Sequence, residues 1–324
     1  MHRIVLIGGS GFVGTRLIGL LRRNPDYDVR NIDIAPSEAY PELTEYGDVR
    51  RLHDMLQALR GADTVVLLAA EHRDDVRPLS RYNTTNVGGM RHVLRAMSEH
   101  GVRRLVFFSS VAVYGLDKPE PDETATPDPA NEYGRSKWKA EQVLTRWHGR
   151  HADVDVSVVR PTVIFGEGNR GNVYNLLRQI QGGRFLMVGA GRNKKSMAYV
   201  GNVAAFVVHL LSRGERGYRI YNYVDKPDFD MNGLVALVSD ATGRHIPATH
   251  FPRWMGLAGG YAFDLLALVT RRRLNVSAQR VRKFCATTQF SAARALTTGF
   301  QPPYPIADAL KRTLAYEFGA GAKQ

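Results

Sequence analysis

The stretch "RIVLIGGSGFVG", residues 3–14, decides how the rest of the chain is read. The apolar run Ile4 to Ile7 is short and ends in glycines, the pattern of a strand buried on both faces. Two glycine spacings follow at once: Gly9-x-Gly11-x-x-Gly14 and Gly8-x-x-Gly11-x-x-Gly14. Phe12 and Val13 then open an amphipathic helix, "GFVGTRLIGLLRR". Small residues let the backbone turn tightly and approach a pyrophosphate, which sits on the positive end of the following helix. A glycine fingerprint alone is a weak signal. Between a strand and a helix it reads as a dinucleotide site.

Working outward, "YDVRNIDI" is a second strand that places Asp33 at its end, 19 residues past Gly14. A carboxylate there accepts hydrogen bonds from an adenosine ribose and repels a 2′-phosphate, which favours NAD over NADP. Asp48, in "GDVR", is a candidate neighbour of the adenine. The alternation continues through "VRRLHDMLQAL", "ADTVVLLAA", "NVGGMRHVLRAMSEH", "RRLVFFSS", "EYGRSKWKAEQVLTRWH" and "DVSVVRP". Apolar strands separated by helices predict an α/β fold, a doubly wound parallel Rossmann sheet covered on both faces. Past residue 162 the rhythm loosens into Gly-rich loops such as "GEGNRGN" and "VGAGRNKKS". The expected division is a Rossmann domain over 1–162 and a smaller C-terminal, mainly substrate-binding lobe over 163–324, with some later segments returning to the first.

Composition bounds the function classes. At 324 residues and 44% apolar content the chain can build an ample core. The start, "MHRIVLIGGSG", is strand and glycine turn, so no secretory signal is expected. One cysteine, Cys285, cannot form an internal disulfide, which suits a reducing cytoplasm, and it reads as a small buried hydrophobe. Net charge is +13, and residues 251–324 hold eleven Lys/Arg against three Asp/Glu. Such a field attracts nucleic acid, anionic lipid or anionic small molecules. No RNA-recognition signature appears, which argues against nucleic acid. No metal is called for.

Tyr133 and Lys137, in "EYGRSK", are four apart and share a helix face. A tyrosine hydroxyl is a poor base near neutrality because its reference pKa is about 10. A neighbouring ammonium and an oxidised nicotinamide both favour the phenolate, which then shuttles a proton while hydride moves. The serines that end "RRLVFFSS" stand before "VAVYG".

With "GGSGFVG", "LLAA", "NVGG", "SSVAVYG", "EYGRSK", "VVRPTVIFG" and "MAYVGNVAAF" in place, the chain resembles the extended short-chain dehydrogenase/reductases of the nucleotide-sugar epimerase/dehydratase type. The resemblance implies an NAD site lined by Gly8, Gly11, Phe12, Val13, Gly14, Asp33, Asp48, Val49, Ala69, Ala70, Asn86, Tyr133, Lys137 and Pro161. It implies that Ser110 orients the reacting oxygen while Ser109 only finishes the strand, that Tyr133 is the acid/base, and that Lys137 binds the nicotinamide ribose and lowers the tyrosine pKa. Asn86 matches a structural and proton-relay position, and Arg160-Pro161 would lie beside the carboxamide. The helices around 87–100 and 132–148 resemble the family's dimer-forming bundle, so a homodimer is expected.

Relatives that eliminate water carry an Asp-Glu pair where Val111 to Val113 stand here. A 4,6-dehydratase is therefore disfavoured, leaving 4-epimerisation, keto-sugar reduction or alcohol oxidation. A nucleotide-sugar substrate, serving surface-polysaccharide synthesis, is the first expectation, with Arg192 and Lys195 as phosphate contacts. Val163 departs from an asparagine that contacts the sugar nucleotide in many family members, Lys195 from an arginine that often binds the diphosphate, and Asn202 from a commonly acidic position. A sterol-like alcohol dehydrogenase is the alternative among enzymes, and a non-catalytic NAD-sensing or RNA-binding relative the alternative of another class. "WMGLAGGYAFDLLALVTRRR", residues 254–273, is too short and polar to span a bilayer, but it could lie on an anionic membrane surface.

Overall fold

The computed structural model describes residues 1–73, 76–116, 118–183, 185–214, 216–246, 250–270 and 278–319. The chain divides into two compact units. The first comprises Met1–Ile164, Ala198–Asp225 and Phe290–Tyr304, and the second Phe165–Met197, Lys226–Gln289 and Pro305–Gln324. The chain thus leaves the first unit and re-enters it twice.

Elements are numbered in chain order across both units. In the first, β1 (His2–Ile7), β2 (Tyr27–Asp33), β3 (Thr44–Tyr46), β4 (Thr64–Leu67), β5 (Arg104–Phe108), β6 (Asp155–Pro161) and β10 (Tyr218–Tyr223) form one sheet of order β10-β6-β5-β4-β1-β2-β3. Every paired strand in it runs parallel. Helices α1 (Phe12–Leu21), α2 (Leu52–Ala58), the short α3 (Ser80–Tyr82), α4 (Gly89–His100), α5 (Glu132–His148), α7 (Val200–Ser212) and α11 (Ala293–Thr297) accompany it.

Alternation within each strand explains the two covered faces. Val5 and Ile7 of β1, Leu105 and Phe107 of β5, and Val156 and Val158 of β6 join the core under α2, α4 and α5. Their neighbours Ile4, Leu6, Val106, Phe108 and Val159 join the opposite core under α1 and α7. The order reverses between β4 and β1, and open parallel sheets bind ligands outside the strand ends at such a reversal.

The second unit contains α6 (Asn172–Gln181), α8 (Met231–Thr242), α9 (Arg253–Thr270), α10 (Ala278–Cys285), α12 (Ile306–Phe318) and the two-residue pair β8 (Met187–Val188) with β12 (His250–Phe251). A three-stranded sheet runs β11-β9-β7, from Asp225–Asp230, Lys194–Tyr199 and Val163–Phe165. Cys285 is half-buried, its Sγ 3.5 Å from the Val188 carbonyl. The outer faces of α4 and α5, expected to meet a second copy, expose Arg91, Arg95, Lys139 and Arg146. Among the described residues no helix is long and apolar enough to cross a membrane.

Candidate active site

The glycine turn is shaped by what surrounds it. Gly8 has φ +86°, and a Cβ there would lie 2.5 Å from the Ala69 backbone, so the turn after β1 sits directly on the turn after β4. Ala69 N–H reinforces this by donating to the Ile7 carbonyl at 2.8 Å. Buried Asn31 accepts from Gly9 N–H at 2.8 Å and donates to Ser10 Oγ and Thr44 Oγ1. A Cβ on Gly14 would meet Gly9 O at 2.3 Å, which lets α1 start flush against the turn.

Gly11 behaves differently: a Cβ there would meet nothing within 4 Å. As N-cap of α1, Gly11 offers no side-chain cap, and the first turn has no acidic residue. The leading amides at Phe12 and Val13 therefore face an open cradle with the positive end of a ten-residue helix behind it. A dinucleotide pyrophosphate fits such a cradle. Asp33 adds the second half of the fit: its carboxylate, at the end of β2, accepts from Ser10 N–H and Ala35 N–H, both at 3.0 Å, which fixes it beside the turn. Asp48 is buried and held by Arg50, whose Nε lies 2.8 and 2.9 Å from its two oxygens. The Arg50 hydrogen bonds keep its carboxyl below the usual carboxylate range despite burial. Val49 is buried, Ala69 and Ala70 are half-buried at the end of β4, and Pro161 is the buried last residue of β6.

Around the reacting centre, α5 is the organising element. Asn131, two residues before Tyr133, caps it by accepting from Gly134 N–H at 2.8 Å, so the helix starts at Glu132. A Cβ at Gly134 would sit 2.4 Å from the Ala112 carbonyl, so the first turn of α5 rests on the 3₁₀ turn Val111–Tyr114. Ser110 caps that turn, accepting from Ala112 N–H at 3.1 Å, and is half-buried. Tyr133 is half-buried one turn before Lys137, which is 2% exposed. Lys137 Nζ donates to the Phe108 carbonyl at 2.7 Å and lies 5.0 Å from the Phe107 ring centroid. Burial pushes its ammonium down to about 7, and the Glu141 carboxylate opposes that fall.

Asn86 uses its whole amide. Its Oδ1 accepts from Glu71 N–H at 2.8 Å, and its Nδ2 donates to the Glu71 carbonyl and to Ser136 Oγ at 3.0 and 2.7 Å. Ser136 in turn donates to the Tyr133 carbonyl at 2.7 Å. The loop after β4 is thereby tied to the turn that carries the tyrosine.

A buried network that the sequence reading missed lies behind Lys137. Glu141, 1% exposed, accepts from Arg160 Nε at 3.0 Å and Nη2 at 2.5 Å. Ser109 Oγ donates to the same carboxylate, so it does more than finish a strand. Arg160 Nη1 donates to Tyr114 Oη at 2.7 Å, and Tyr114 donates to Asn222 Oδ1 at 2.8 Å. Burial alone would depress the guanidinium, but Glu141 more than offsets it and leaves Arg160 raised. Glu141 stands at the spacing 133, 137, 141 on one face of α5, and Arg160 interrupts an apolar strand. Together they were the available signal.

In the second unit, Arg192 is exposed in the loop before β9. Lys195 is half-buried, its Nζ 2.5 Å from the Ala286 carbonyl, and burial pushes it down to about 8.

A sequence profile of the NAD dependent epimerase/dehydratase family matches residues 4–223, which takes in the glycine turn, Asp33, Ser110, Tyr133, Lys137 and the Glu141–Arg160 pair. The chain belongs to that family. The N-acetyl-alpha-D-glucosaminyl-diphospho-ditrans,octacis-undecaprenol 4-epimerase of Escherichia coli O157:H7 is 54% identical over 97% of this chain and 95% of its own length. The UDP-glucose 4-epimerase of Vibrio cholerae is 26% identical over 96% and 94%. Among solved structures, the UDP-glucuronic acid 4-epimerase of Bacillus cereus in complex with NAD superposes with a TM-score of 0.76 at 17% identity, covering 97% of this chain and 98% of its own. The family is NAD-dependent by its description, and this member is an enzyme of the extended short-chain dehydrogenase/reductase type whose cradle and Asp33 carboxylate fit that cofactor.

Proposed function

We propose that this family member interconverts the 4-epimers of an N-acetylhexosamine carried on a polyprenyl diphosphate. The observation that carries this reading is 54% identity across 97% of the chain to the epimerase described as acting on the glucosaminyl-diphospho-undecaprenol. The nucleotide-sugar expectation shifts accordingly: the diphosphate is kept and the nucleoside gives way to a lipid alcohol. The departures from the sugar-nucleotide pattern support the change. Val163 is an exposed apolar residue, Lys195 is engaged with a backbone carbonyl, and Asn202 is buried with its amide on Tyr304 at 2.7 and 3.0 Å.

Bound NAD supplies a reversible two-electron acceptor at the sugar carbon. The residues of this chain supply the rest. Tyr133 takes the proton of the 4-hydroxyl and returns it, with Ser110 orienting the oxygen. Lys137, carried one helical turn beyond Tyr133, favours the phenolate through its charge, and Glu141 opposes the loss of that charge to burial. With Val111, Ala112 and Val113 at the dehydratase acid and base positions, no second proton transfer for loss of water is provided.

The test incubates the purified protein and NAD with N-acetylglucosaminyl diphospho-undecaprenol, releases the sugar by mild acid and separates the two hexosamines. Conversion from either epimer to a common equilibrium is expected. Turnover of UDP-N-acetylglucosamine at a higher kcat/KM would overturn the lipid-linked reading in favour of the nucleotide sugar.

A further inference from the structure

A helix that is apolar on nearly all sides belongs inside a protein. Helix α9 is such a helix, with Arg253 and Asp264 its only charged residues over 18 positions. Most of its described positions are nevertheless exposed. Eleven of its fourteen positions of described exposure are exposed. Trp254 and Tyr261 are 69% and 53% exposed, and Met255, Phe263 and Leu266 accompany them. These five make up over a third of the fourteen exposed large apolar side chains among the described residues. Exposed apolar surface at this density marks an interaction site.

We infer that α9 is a monotopic membrane-docking helix that lies in the interface of a bilayer rich in anionic lipid. Three observations choose this occupant. At about 1.5 Å per residue the helix is roughly 27 Å long and broken by Asp264, too short and polar to span, but suited to lying flat. Its aromatics, Trp254, Tyr261 and Phe263, are types that settle at the headgroup level. The surrounding chain is cationic: residues 253–285 hold seven Lys/Arg and one Asp. Arg271, Arg272 and Arg273 among these lie outside the described residues, while Arg253 and Arg282 are exposed, with Arg282 over the Tyr261 ring at 5.7 Å. A two-fold contact between copies through α9 would set this charge against itself. Anionic headgroups complement it instead. The inference does not depend on the proposed reaction, though a polyprenyl-linked sugar would be met at the same surface.

The test floats the full-length protein, with NAD, on vesicles of phosphatidylcholine with and without phosphatidylglycerol. Binding to the anionic vesicles is expected, with partitioning reduced about tenfold in Trp254→Ser/Tyr261→Ser/Phe263→Ser. Arg253→Gln/Arg282→Gln, which keeps the apolar face, should bind more weakly and lose its preference for the anionic vesicles. Trp254 fluorescence should be quenched by lipids brominated near the headgroup and not in Trp254→Phe. Retained NAD binding confirms that each variant is folded, and turnover of a short-prenyl, water-soluble substrate analogue by the triple variant separates loss of docking from failure of the proposed reaction. Equal partitioning of parent and variants overturns the inference. So does a parent dimer that the triple variant converts to monomer, because that result assigns α9 to a second copy.

Discussion

Helices α5 and α9 are nearly equal in length, 17 and 18 residues, and depart from ordinary amphipathicity in opposite senses. The first buries charge: Lys137 and Glu141 are 2% and 1% exposed. The second exposes apolar surface. Burying an ion costs free energy unless a partner meets it, and α5 meets that condition with Arg160 and the Phe108 carbonyl. Exposing large apolar groups also costs free energy, and among the described residues Trp254, Met255, Tyr261, Phe263 and Leu266 of α9 stay exposed. The difference teaches where to look for each kind of function. Compensated buried charge marks chemistry performed inside the chain, and exposed apolar surface marks something that must come from outside it.

The largest effect should come from removing the reacting group of α5. Tyr133→Phe is expected to lower kcat by roughly 10²–10⁴-fold while NAD affinity, measured by titration, stays within about twofold. Retained turnover would remove Tyr133 from the acid/base role. Glu141→Gln leaves a guanidinium buried without its counter-charge and should lose about 3–5 kcal/mol in denaturant unfolding. Glu141→Leu/Arg160→Met should recover most of that stability. If it does not, the pair is more than an electrostatic match.

Asp225 sharpens the comparison, because among the described residues it is a buried carboxylate held by hydrogen bonds. It accepts from Tyr199 N–H at 2.6 Å and Tyr223 Oη at 3.0 Å, and burial pushes it up to about 6. A raised carboxyl favours the folded state at low pH, and that contribution is lost as pH rises from 3.8 to about 6. The stability of Asp225→Asn relative to the parent should therefore rise across that window by about 2–3 kcal/mol. A flat difference would mean that the two states titrate alike. Asp33→Ala should relax discrimination against NADP by about tenfold, some 1.4 kcal/mol. The smallest effect belongs to α9: Phe263→Ser should change unfolding stability by no more than about 0.5 kcal/mol, measured without lipid. A loss of several kcal/mol would show that the side chain is packed and break the contrast.

What was legible in the sequence was local or periodic. The strand Ile4 to Ile7, the glycine turn, Asp33 at a strand end and the 133/137 spacing each announce themselves within a few residues, and α5 spans the stretch read as a helix. The Glu141–Arg160 pair was not read, because its meaning depends on β5, α5 and β6 being adjacent, which no window of sequence contains. Ser109 was underestimated for the same reason: its partner is 32 residues away. The sequence carries no local mark of where 198–225 belongs. Strand β10, "YRIYNY", resembles other apolar runs and carries no mark saying that it pairs with β6. Strand β3, three residues long, was too short to show a period.

The contact between Gly134 and the Ala112 carbonyl has a consequence for how this enzyme can diversify. Backbone meets backbone there, so the offset between the serine turn and the tyrosine turn is set by atoms that every residue possesses. The half-buried side chain at 112 can be exchanged without moving that offset, provided position 134 stays glycine, whereas Val111 and Val113 are packed in the core. New substrate preferences can then accumulate in neighbouring positions while the proton-transfer geometry is inherited unchanged.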